Sequence, residues 1–83
     1  MTKSVKLYTL SSCSHCKAAK KLLNNCNVHY EFIDVDLLDV LERASAIAEV
    51  RALNPQCSFP TILIGDEIII GYREDKIKEA LGL

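Results

Sequence analysis

Residues 4–10, SVKLYTL, place Val5, Leu7 and Thr9 on one side and Lys6 and Tyr8 on the other, the period-two pattern of a strand. The period then changes. Ala18, Ala19, Leu22, Leu23 and Cys26 recur at helical spacing, with Lys17, Lys20 and Lys21 on the polar face and the Asn-rich run NNCN ending the helix. VHYEFIDVD, residues 28–36, reads as a second strand. Asp36 is placed to cap a following helix whose apolar positions include Val40, Leu41, Ala44, Ile47 and Ala48, with Pro55 at or just beyond its end. TILIG and EIII are short apolar runs joined at Gly65-Asp66, a hairpin signal, and REDKIKEALGL closes the chain as a short helix.

The order is β-α-β-α-β-β-α, an α/β chain. The first β-α-β is long enough for a right-handed parallel crossover, and the hairpin adds an antiparallel pair. A four-stranded mixed sheet with three helices follows, an arrangement that resembles the thioredoxin fold. Eighty-three residues support one small core, so residues 1–83 are expected to form a single domain, and a monomer.

A net charge of −1, with acidic and basic residues interleaved, leaves neither a nucleic-acid footprint nor an acidic tail. The N-terminal MTKSVKLYTL lacks the apolar stretch of a signal peptide, and no apolar run approaches the roughly 18 residues of a membrane helix. The expectation is a cytoplasmic protein without nucleic-acid or membrane partners. In a reducing compartment its four cysteines point to redox or metal chemistry rather than a disulfide framework.

TLSSCSHCKAAKKLLNN, residues 9–25, sets Cys13 at a strand-to-helix junction and Cys16 one turn inside, on the same helix face. Unpaired N–H groups and the positive end of the helix dipole favour a thiolate there. Cys13 is thus the candidate nucleophile and Cys16 the resolving thiol. Between them, Ser14 and His15 are positioned to tune the pair, His15 either as a donor or cation beside the thiolate or as a plain exposed residue. Cys13, Cys16, Cys26 and His29 also spell a zinc-like spacing, but a helix over residues 16–26 would hold Cys26 about 15 Å from Cys16. Cys26 then reads as a small apolar core residue, and Cys57 as a bystander or a site of regulatory mixed disulfide.

The C-x-x-C at the start of the first helix, FIDVD after the second strand and SFPTILIGDEIIIGY together resemble the glutaredoxin family over essentially the whole chain. The resemblance implies dithiol-disulfide exchange, no tightly bound cofactor, glutathione as a co-substrate and a cis peptide at Phe59-Pro60. It places substrate or glutathione contacts at Tyr8, Ser58, Phe59 and Pro60, and at Gly71, Tyr72, Arg73, Glu74 and Asp75. Some relatives carry an iron–sulfur cluster between two copies, an alternative function alongside a non-catalytic zinc module.

The family pattern is not followed throughout. Typical members have C-P-Y-C, a lysine three residues before the first cysteine and T-V-P, where this chain has CSHC, Leu10 and SFP. GYREDKI looks closer to the G-F-R-P-D-K-L of redoxins that serve ribonucleotide reductase and draw electrons from a thioredoxin reductase. The expected partners are disulfide-containing proteins, ribonucleotide reductase among them, with glutathione or a thioredoxin reductase as donor. Arg73 with the helix-start amides either receives a substrate carboxylate or is solvated, Glu74 and Asp75 then merely complementing the helix dipole.

Overall fold

The computed structural model describes residues 3–83, so the part of the N-terminal reading that concerns Met1 and Thr2 lies outside the described residues. The elements are β1 (Val5–Thr9), α1 (Ser14–Asn25), β2 (Glu31–Asp34), a 3-10 turn (Val35–Leu37), α2 (Val40–Leu53), β3 (Thr61–Ile64), β4 (Glu67–Ile70) and α3 (Glu74–Leu81). The sheet runs β2-β1-β3-β4, with β1 and β2 parallel and the other pairs antiparallel. This is the thioredoxin-like topology expected from the sequence. Among the described residues no helix is long and apolar enough to cross a membrane.

Alternation along β1 decides which residues form the main core. Val5 and Leu7 turn to one face of the sheet, where Ile62, Ile64 and Ile69 meet Ala19, Leu22 and Leu23 of α1 and Ile77 and Ala80 of α3. Leu7, Leu23, Ile62, Ile64 and Ile77 are fully buried, each worth about 1.5–3 kcal/mol of transfer free energy. Cys26 is half-buried against the same cluster, in keeping with its reading as a small core residue.

Strand β2 starts at Glu31, three residues later than expected, because the end of α1 occupies the intervening chain. Asn27 adopts a left-handed backbone (φ 56°), its N–H donating to Asn24 O, while the Val28 N–H donates to Leu23 O at 2.9 Å. That bond pair is a Schellman stop, and Val28 packs on the core beside it. At its other end β2 gives way to the 3-10 turn, which takes up Val35 and Asp36.

Two expectations for α2 are corrected. Its cap is Asp39, not Asp36: Asp39 Oδ1 accepts the Glu42 N–H at 2.8 Å, completing an Asp-x-x-Glu start that the sequence contains. Its buried face is formed by Ala46 and Val50, whereas Val40 and Leu41 are 77% and 83% exposed and Ala44 and Ala48 also face solvent. VLERASAIAEVRAL is apolar around most of its circumference, so periodicity does not select a face. Tertiary contact selects it, including the hydrogen bond from the Tyr8 hydroxyl to Glu49 Oε2 at 3.0 Å.

The same substitution at two leucines tests this assignment. Leu23→Ala should lose about 2–5 kcal/mol in chemical denaturation, while Leu41→Ala should stay within about 0.5 kcal/mol of the parent. A large loss at Leu41 would return that residue to the core.

Candidate active site

The C-terminal ends of β1, β2 and β4 and the N-terminal end of β3 lie at one end of the sheet, as the pairings Thr9 with Asp34, Tyr8 with Thr61 and Thr61 with Ile70 require. The segments that follow or precede those strand ends therefore converge. They are the Leu10–Cys13 turn, the Asp36 turn, the Ser58–Pro60 loop and the Gly71–Asp75 entry to α3.

Cys13 caps α1. Its extended backbone (φ −81°, ψ 119°) ends the turn closed by the Cys13 N–H on Leu10 O, and its sulfur accepts the Cys16 N–H at 3.3 Å. Cys13 is partly exposed, while Cys16 is fully buried. Burial, reinforced by the hydrogen bond to Cys13, pushes the Cys16 thiol up to about 12, and the Leu10 backbone and the Lys20 charge act in the opposite direction. One sulfur is thus presented and the other held back as a thiol. Ser14 and His15 are exposed on the first turn of α1 between them.

The Phe59-Pro60 peptide is cis, as the family resemblance implies. Its loop rests on Asn54, which is fully buried and donates through Nδ2 to Ser58 Oγ at 2.9 Å and to Thr61 Oγ1 at 3.1 Å, while its Oδ1 accepts the Gln56 N–H. Thr61 Oγ1 in turn donates to Ser58 O at 2.7 Å. Pro60 O accepts the Gly71 N–H at 2.8 Å, which joins the proline loop to the start of α3. Ser58, Phe59, Pro60 and Gly71 are brought together in this way. Tyr72 follows, partly buried against the core, and Arg73, Glu74 and Asp75 stand exposed on the first turn of α3.

Tyr8 is placed differently from a surface contact residue. Only 4% exposed, it spends its hydroxyl on Glu49, and burial together with that hydrogen bond raises its pKa. It supports the sheet beneath α2. Cys57 adopts a left-handed backbone (φ 51°) in the turn before Ser58, its N–H donating to Asn54 O. For the zinc spacing, α1 keeps Cys16 and Cys26 far apart along its length, and among the described residues no group of three or more His, Cys, Asp or Glu side chains could hold a metal.

Several residues that shape the site escape a sequence reading. Ser11 N–H donates to Asp36 Oδ1 at 2.9 Å and Ser11 Oγ–H to Asp36 Oδ2, so one carboxylate grips the turn two residues before Cys13. Arg43 of α2 donates to Asp36 O and Leu38 O and secures the same turn. Lys20, expected as a surface charge, is instead 21% exposed and paired with Asp34 at 3.2 Å, over the Phe32 ring. Pro55 marks the end of α2 in the sequence, but the buried amide network of Asn54 has no signal there.

A C-x-x-C dithiol at the N-terminus of a helix, at the same end of a four-stranded mixed sheet as a cis-proline loop, defines a thioredoxin-fold domain. Comparison with known proteins narrows this. The sequence model of the family described as Glutaredoxin matches residues 5–69, and the chain belongs to that family. It is 30% identical over 77 residues to an uncharacterized glutaredoxin-like 8.6 kDa protein in the rubredoxin operon of Clostridium pasteurianum, covering 93% of this chain and 96% of that one. Among solved structures it is similar to the methanoredoxin of Methanosarcina acetivorans (TM-score 0.92, 44% identity, 96% of this chain and 85% of that one). It is also similar to the glutaredoxin-like NrdH-redoxin of Escherichia coli (TM-score 0.73, 32% identity, 92% of each chain).

The Ser11 hydrogen bonds hold the Asp36 carboxyl below its ordinary value, which ties the clamp to pH. A depressed folded-state pKa contributes stability that is complete above the unfolded value, roughly 3.9 for Asp, and is lost as pH falls through the folded one. Asp36→Ala should therefore melt below the parent at neutral pH, and the two melting curves should converge in acid. A constant gap at every pH would show that the charge of Asp36 contributes nothing.

Proposed function

We propose that the protein is a dithiol thiol–disulfide oxidoreductase that reduces protein disulfides or glutathione mixed disulfides through Cys13 and Cys16. The observation that carries this reading is the unequal pair itself, a partly exposed Cys13 sulfur capping a helix and a fully buried Cys16 thiol hydrogen-bonded to it.

The Cys13 thiolate attacks one sulfur of the substrate disulfide, forming a mixed disulfide and expelling the other sulfur as a thiolate. Cys16 then loses its proton to a solvent base and attacks the Cys13 sulfur. This forms the Cys13–Cys16 disulfide and releases the second substrate thiolate. The substrate gains two electrons and the dithiol loses two, which an external reductant restores. Amide donors from the Cys16 N–H and the first turn of α1 stabilise charge on the Cys13 sulfur each time it attacks or leaves.

An extended substrate would lie across the cis-proline loop, pairing with the Phe59 backbone as one more strand. The entry to α3, tied to that loop through Gly71, offers Arg73 and helix-start amides to a carboxylate such as those of glutathione. Leu10, where the family pattern has lysine, withholds one cation from such a ligand. The donors to be compared are therefore glutathione and a thioredoxin reductase, and disulfide-bearing proteins such as ribonucleotide reductase are the substrates.

NADPH consumption on a model disulfide distinguishes the donors. Turnover with glutathione and glutathione reductase assigns the α3 entry to glutathione, and turnover only with thioredoxin reductase withdraws that role. In whichever system runs, Cys13→Ser should abolish activity, and Cys16→Ser should accumulate a mixed disulfide visible by intact mass. Full activity in Cys13→Ser would overturn the proposal.

A further inference from the structure

Cys16 presents a difficulty that the exchange scheme leaves open. It is fully buried, and burial, the leading cause of its raised pKa, persists when Cys13 is bonded to a substrate sulfur and continues to favour the thiol. Thiols do not attack disulfides; thiolates do. Something in the protein must favour ionisation of Cys16 at that moment.

The groups that act on Cys16 come from two elements. From α1 they are the Cys13 sulfur at the helix cap and the Lys20 ammonium, one helical turn beyond Cys16 on the same face; from the end of β1 it is the Leu10 backbone. Of these, Cys13 opposes ionisation, and Lys20 and Leu10 favour it. Once Cys13 is bonded to a substrate sulfur it carries no negative charge, and its opposition falls away. Lys20 remains.

Lys20 is also held in place, unlike a surface lysine. Its Nζ donates to Asp34 Oδ1 at 3.2 Å and lies 3.9 Å from the centroid of the Phe32 ring, with both partners of the ion pair mostly buried (21% and 17% exposed side chains). Asp34 is fixed from behind by the fully buried Thr9, whose hydroxyl donates to the same Oδ1 at 2.6 Å. Lys17, on the exposed face of α1, has none of this.

We propose that Lys20, positioned by Asp34, Thr9 and Phe32, is the charge that makes Cys16 competent for the resolving attack. Cys13 draws its stabilisation from the helix cap, so the two sulfurs are activated by separate devices and in sequence. The inference rests on the exchange reaction proposed above and names its positioning residue for the second step.

A chromogenic aromatic disulfide separates the steps without a reductase. Attack by Cys13 releases one aromatic thiolate and leaves a mixed disulfide. Attack by Cys16 on Cys13 releases the second and leaves the Cys13–Cys16 disulfide. Subtracting the Cys16→Ser trace removes reaction at Cys26 and Cys57. Each pKa unit that a cation removes is worth about tenfold in thiolate and, with a Brønsted coefficient near 0.5, about threefold in net rate.

Lys20→Gln should therefore slow the second release at neutral pH, by about threefold for each pKa unit the ammonium contributes, with the first release unchanged. The deficit should shrink as pH rises toward the Cys16 pKa. Lys20→Arg should restore the second release, and Lys17→Gln should match the parent. An unchanged second release in Lys20→Gln, equal slowing of both releases, or no rescue by arginine would each overturn the proposal. Failure of the parent to show a second release would instead remove the exchange reading itself, because Cys16 would then not resolve.

Discussion

The hydrogen bond from the Cys16 amide to the Cys13 sulfur is the interaction on which the rest of the site depends. It exists only because α1 begins immediately after a turn leaving β1, and because the parallel return to β2 lays the helix over the sheet. A sulfur at a helix cap takes the place of the oxygen that usually accepts from the orphan N–H groups. Structure and chemistry thereby share one atom: the group that starts the helix is the group that reacts. Burial of Cys16 follows from the same geometry, since one helical turn carries the chain from the exposed cap to the face packed on the sheet.

The polar residues behind this end of the sheet form three separate supports. Asp36 holds the turn before Cys13, Asp34 holds Lys20 below α1, and Asn54 with Thr61 holds the proline loop. The Asp34 and Asn54 supports are buried or part-buried and largely satisfied within themselves, which suits polar groups in a partly dry setting, whereas the Asp36 clamp is exposed. Among the described residues no buried side-chain nitrogen or oxygen lacks a hydrogen-bond partner. Fixing the loops in this way limits the rearrangement needed when a substrate sulfur approaches, so less binding energy is lost to ordering.

What could be read from the sequence follows the range of the interactions. The α1 stripe, the β1 alternation and the Cys13–Cys16 placement are local patterns with strong periodicity, and the structure reproduces them. Asp39 was equally local, but its Asp-x-x-Glu signature lies beside Asp36, which fits a cap as well and is recruited by Ser11 from 25 residues away. The face of α2 could not be read because alanines and aliphatics surround that helix, and only the sheet beneath it decides. Lys20 and Lys17 look alike in sequence. The difference between them lies in Asp34 and Phe32 on another strand.

The two lysines also show why a charge near a thiol has to be fixed to matter. A mobile ammonium in water interacts through a high dielectric and samples many rotamers, so its effect on a neighbouring sulfur is small. Pairing with Asp34 removes that freedom, and partial burial lowers the local dielectric, so the same ammonium acts over a defined path. The partner carboxylate offsets part of the charge seen at a distance. Asp34 belongs to β2 and is held by the hydrogen bond from Thr9 in β1, while Cys16 lies one turn away from Lys20 along α1.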